Sequence, residues 1–166
     1  MRNYRRILST ILVGCISFVI YVTPVIAATT SILDWHLVDS GKHLDWSGST
    51  AYQDQFDSSV KVWNNYKSGV IRKDSLATIN DVTISDYYEK SSTAGVTSHS
   101  GTIKFNTYKM EDYSTTKRKN VCINELGHAL GLQHNQQGDV MYAYVSTVTS
   151  LSANDKASYD KSYSRY

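Results

Sequence analysis

Asn124-Glu125-Leu126-Gly127-His128-Ala129-Leu130-Gly131-Leu132-Gln133-His134 is the stretch from which the architecture follows. Val121, Cys122 and Ile123 precede it, and together with Leu126, Ala129 and Leu130 they recur at a helical period, which predicts a helix over about 115–131. Positions i and i+4 of a helix share a face, so side chains at 124 and 128 can reach one ion while the side chain at 125 stands beside it. Gly131 permits the sharp turn that would bring His134 back to the same point. Imidazoles converging with an adjacent carboxylate and an open position are the ligand chemistry of catalytic zinc, with Glu125 placed to take a proton from water. Asn124 is discordant. It offers a neutral amide oxygen where this spacing calls for a third imidazole, and zinc takes Cys, His, Asp and Glu. His128 and His134 are therefore expected ligands, Asn124 a weak one, and Zn2+ affinity is expected to be reduced.

The N-terminus reads as a targeting segment rather than as part of the fold. Arg2, Arg5 and Arg6 precede an apolar run from Ile7 to Val22, and Pro24-Val25-Ile26-Ala27 supplies small residues at cleavage spacing. Residues 1–27 are expected to be a signal peptide and residues 28–166 one secreted, extracellular domain. Ser9, Thr10, Gly14 and Ser17 interrupt the run, so stable membrane insertion is not expected. The alternatives are an uncleaved N-terminal anchor and lipid attachment at Cys15, because Leu12-Val13-Gly14-Cys15 resembles a lipobox.

Loss of Arg2, Arg5 and Arg6 leaves 14 of the 17 basic residues against 15 acidic ones. A nearly neutral chain without a basic stripe lacks the charge that phosphate contacts require, which argues against nucleic acid as a partner. Lys117-Arg118-Lys119 reads as a solvated cluster ahead of the helix. Cys122 is the one cysteine outside the signal and reads as a buried structural thiol.

Outward from the central stretch, alternation over Ile32–Val38 predicts a first strand. Ser49 or Thr50 is expected to cap a long helix carrying Tyr52, Phe56, Val60, Trp63 and Tyr66, stopped by Gly69. Residues 70–73, 81–87 and 101–108 read as strands, with 91–101 as a polar loop bearing an exposed His99. Ser152-Ala153-Asn154-Asp155 signals a capped final helix ending near Tyr163.

With Asp139-Val140-Met141-Tyr142 and Leu151-Ser152-Ala153-Asn154-Asp155 following the helix, the chain resembles the metzincins, and among them the matrixin-like zinc metallopeptidases, including small secreted bacterial members. The resemblance implies an α+β fold: a mixed twisted sheet packed on a long helix and the active-site helix, with a small C-terminal helical subdomain. It implies a metalloendopeptidase with Glu125 as general base, and Met141 as the Met-turn residue beneath the zinc histidines. It also implies a peptide or protein substrate bound extended along an edge strand, here matched to 101–108, and a monomer. Ala143 departs from the proline common after the Met-turn, and no clear motif marks a structural Ca2+ site. Asn124 keeps a second reading open, an inactive metzincin domain that binds peptides or a protein partner.

Overall fold

The computed structural model describes residues 27–75 and 78–166, so Cys15 and the body of the expected signal segment lie outside the described residues. Strands Leu44–Gly48 (β1), Ile71–Lys73 (β2), Val82–Tyr87 (β3), Gly95–Ser98 (β4) and Thr102–Asn106 (β5) form one sheet in the order β2-β1-β3-β5-β4. All pairs are parallel except β4 with β5, which is antiparallel. A parallel pair needs a crossover, and helix α1, Gln53–Asn64, supplies it between β1 and β2. A short turn of helix, Thr107–Met110 (α2), leads to Thr115–Ala129 (α3), and Ala153–Tyr163 (α4) follows.

The core forms where the apolar faces of α1 and α3 meet the sheet. Phe56 and Trp63 of α1 are fully buried, as are Ile103 and Phe105 of β5, and each such side chain contributes about 1.5–3 kcal/mol of transfer free energy. Trp46 of β1 meets the Phe56 ring edge-on at 5.0 Å, and Phe56 meets Phe105 at 6.3 Å. The Trp63 indole N–H donates to the Ile123 carbonyl at 3.1 Å, which fixes α1 against the helix that carries the central motif. Cys122, also fully buried, packs in this core, and burial pushes its thiol well above the ordinary range.

Several boundaries differ from the sequence expectation. Ile32–Val38 is not a strand. Its amides turn to the end of α3 instead, with Leu33 N–H donating to Gly131 O at 2.8 Å and Leu37 N–H to Ala129 O at 2.9 Å. The first strand is β1, whose Asp45 is buried because Arg72 on the paired strand β2 donates two bonds to it, at 2.8 and 2.7 Å. Helix α1 starts after Tyr52 with no side-chain cap, the expected cap Thr50 instead donating to Asp86 and accepting from the Tyr52 N–H at 3.2 Å, and it ends at Asn64 rather than at Gly69. The loop expected at 91–101 contains β4, and β5 ends at Asn106. The strand matched to 101–108 is therefore interior, and β4 is the edge.

The C-terminal expectation holds. Ser152 and Asp155 form a capping box at the start of α4. Fully buried Asp155 also accepts from the amides of Val140 at 3.0 Å and Met141 at 3.2 Å, tying α4 to the turn under the central motif.

Candidate metal centre

Helix α3 presents Asn124, Glu125 and His128 to a cleft of about 620 Å³, which Trp35, Gly95, Thr97, His134 and Tyr142 also line. Gly131, at φ 84°, ends the helical course and turns the chain towards His134. The turn is crowded as well as left-handed, since a Cβ at Gly131 would stand 2.5 Å from Ser162 Oγ and 3.0 Å from the Trp35 carbonyl. The returning segment is tied down by its neighbours. Ile32 bridges Leu132, Gln133 N–H donates to Ser31 O at 3.1 Å, and Ser31 Oγ donates to His134 O at 2.9 Å.

The result is a close pair of imidazoles, His128 Nε2 and His134 Nε2 lying 3.1 Å apart. His128 Nδ1 faces the Leu132 carbonyl at 2.9 Å, and because a carbonyl only accepts, Nδ1 carries the proton and Nε2 presents its lone pair. Two nitrogens about 2.0–2.1 Å from a tetrahedral ion are about 3.3 Å apart, so the pair has chelating separation. Burial pushes His128 down to about 4, and burial lowers His134 as well, which favours the neutral form that binds metal.

Asn124 does not complete the set. Its Nδ2 donates to Val140 O at 2.9 Å and Tyr142 O at 3.2 Å, so the carboxamide serves as a cross-link from α3 to the turn that carries Met141. Among the described residues, no further His, Cys, Asp or Glu ligand atom lies within 4.8 Å of both histidines. His36 packs on the Tyr166 ring, His43 stands beside Asp39, and His99 stands beside Trp35, so none of the remaining described histidines joins the pair. The histidines thus fit a metal and Asn124, in this arrangement, does not.

Glu125 is only 7 % exposed, and burial pushes its carboxyl up to about 7, against the smaller opposing effect of a hydrogen bond from Thr97 Oγ1 at 2.7 Å. Thr97 and Gly95, both on β4, are site residues that the sequence reading missed, because nothing in a polar run of small residues marks them. Fully buried Met141 packs beneath α3 where Gly127 leaves room: a Cβ there would lie 2.2 Å from Met141 Sδ and 3.0 Å from Trp63 Cζ2.

A separate acidic group, Asp39, Asp45 and Asp81, has its ligand atoms within 4.8 Å of one another. Arg72 already neutralises Asp45, and the amides of His43 and Asp45 donate to Asp39 and Asp81 at 2.7 and 2.8 Å. Among the described residues, no helix is long and apolar enough to cross a membrane.

The mixed five-stranded sheet and four helices of the described residues form a metzincin-like α+β fold. Residues 87–164, from the end of β3 through α4, match the family model of the matrixins, which supports a matrixin-like family for the chain. No curated protein matches it.

Proposed function

We propose that the protein is a matrixin-like zinc metalloendopeptidase, exported by a signal peptide of residues 1–27 and working through a catalytic domain of residues 28–166. The observation that carries this reading is the buried Glu125 carboxyl in one cleft with two imidazoles at chelating distance. His128 and His134 would hold the ion, which when bound supplies a Lewis acid able to polarise a peptide carbonyl and acidify water. Glu125 then removes a proton from the attacking water and delivers it to the departing amine nitrogen. A carboxyl held near neutrality suits both halves of that transfer. An extended peptide would lie antiparallel or parallel on the free edge of β4, adding backbone hydrogen bonds to the sheet.

A second reading, an inactive domain that keeps the cleft and binds peptides or a protein partner, is favoured by the commitment of Asn124 to the Val140 and Tyr142 carbonyls. One experiment decides. The purified 28–166 protein is assayed for bound zinc and for cleavage of labelled casein, with and without chelator, beside Glu125→Ala. Zinc-dependent cleavage abolished by Glu125→Ala supports the peptidase; no cleavage, with or without bound zinc, overturns it and leaves the binding domain as the reading.

A further inference from the structure

Residues two apart on a strand face the same side, and on β4 this places Gly95 and Thr97 together over Glu125. A Cβ on Gly95 would lie 2.7 Å from Glu125 Oε1, 2.8 Å from its Cγ and 2.9 Å from its Cδ. Gly95 is not among the residues with positive φ, so its backbone would accept alanine. The glycine is required by the carboxylate it covers.

Thr97 Oγ1 stands 2.7 Å from Glu125 Oε2 and 2.9 Å from the Glu125 backbone carbonyl. A hydroxyl has one proton to donate and lone pairs to accept with, so it cannot donate to both. With Glu125 ionised, the Thr97 proton goes to Oε2. With Glu125 protonated, the hydroxyl turns its proton to the backbone carbonyl and accepts the carboxyl proton on Oγ1. The carboxyl group therefore keeps the same partner at the same place before and after it takes a proton, and avoids the cost of a buried unpartnered acid.

We propose that Gly95 and Thr97 are positioning residues for Glu125, the glycine clearing its space and the threonine hydroxyl holding its carboxyl in one orientation throughout proton transfer. The proposal rests on Glu125 acting as general base, as above. Because β4 is also the free edge, a peptide paired to it would be registered directly against that base.

The test compares Thr97→Val, Thr97→Ser and Gly95→Ala in the zinc-loaded 28–166 protein on labelled casein. Thr97→Val and Gly95→Ala are expected to lower kcat by about 10–100-fold with KM within about twofold, and Thr97→Ser to restore most of the rate. Zinc affinity is expected to stay unchanged in all of them. A double-mutant cycle of Thr97→Val with Glu125→Met on unfolding of the metal-free protein is expected to show coupling of about tenfold in the unfolding constant. Wild-type kcat in Thr97→Val, no rescue by serine, or an additive cycle overturns the positioning role while leaving the peptidase reading intact. Absence of chelator-sensitive cleavage in the wild type overturns the peptidase reading and the catalytic role of this pair with it.

Discussion

Replacing Asn124 by histidine should convert the pair of imidazoles into a three-histidine site. The substituents on Cγ correspond: Asn124 Nδ2, which donates to Val140 O at 2.9 Å, occupies the place of an imidazole Nδ1. The acceptor that orients a ligand histidine from behind is therefore already built. Asparagine stops at Oδ1, whereas the ring extends one atom further and carries Nε2 into the cleft that His128 and His134 line. Structural zinc sites with four protein ligands bind with about 10–16 kcal/mol, or roughly 3 kcal/mol per ligand, so a third imidazole should tighten zinc by about 100-fold. Calorimetric zinc titration of both proteins at pH 7.5 measures this directly. At an ion concentration about 100 times Kd, the bound metal should also add about 2.7 kcal/mol, raising Tm by about 10 °C. Equal zinc affinity in the two proteins would mean that the side chain at 124 does not reach the ion, and would refute the site as drawn.

Four other outcomes follow from the same geometry. Burial raises the Glu125 carboxyl to about 7 from an ordinary 4.5, so the native state binds the extra proton between those values and stability falls as pH rises through the window. Glu125→Gln should thus be more stable than wild type at pH 8, by on the order of 1–3 kcal/mol in metal-free urea unfolding, with the gain gone below about pH 4.5. His128, lowered to about 4, acts in the other direction: its contribution is complete above about 6.5 and lost as pH falls towards 4, so in Glu125→Gln, where no opposing carboxyl titrates at that position, stability should drop across that acid range, whereas in the wild type the two effects largely offset. Asp155→Ala removes acceptors for the amides of Val140, Met141 and Ser152 at a buried position and should cost about 2–4 kcal/mol in thermal unfolding. Gly127→Ala would press on Met141 and Trp63 and should cost about 1–3 kcal/mol, read by the same measurement.

Elements whose stabilising partners are local were legible in the sequence. Helix α3 showed its apolar period, and α4 announced itself through the Ser152 and Asp155 capping box, three residues apart. Strand β1 was hidden because its buried Asp45 is tolerable only with Arg72, 27 residues away, reaching across from β2. Strand β4 was hidden because it is only four residues long and its two strand formers, Val96 and Thr97, sit between Gly95 and Ser98 in a polar run; the strand is held by pairing with β5 and by the Asn106 side chain gathering the carbonyls of Glu89 and Thr93 ahead of it. The histidines and Glu125 could be read from their spacing alone. What Asn124 does could not, because its partners are carbonyls 16 and 18 residues onward.

The anchoring of the His134 segment also bears on the order in which the chain can acquire its chemistry. Helix α3, with Glu125 and His128, is built from local hydrogen bonds and can form early. The segment after Gly131 is held by Ser31, 103 residues before His134, and the turn it leaves from by Ser162 and Tyr166, whose hydroxyls donate to the Leu130 carbonyl 32 and 36 residues earlier. Such distant closures come late in folding. A newly made chain would thus carry an inert helix, and its two histidines would meet only on final compaction. In refolding experiments the capacity to bind zinc should appear with the slowest phase rather than with helix formation, and an earlier appearance would contradict this order.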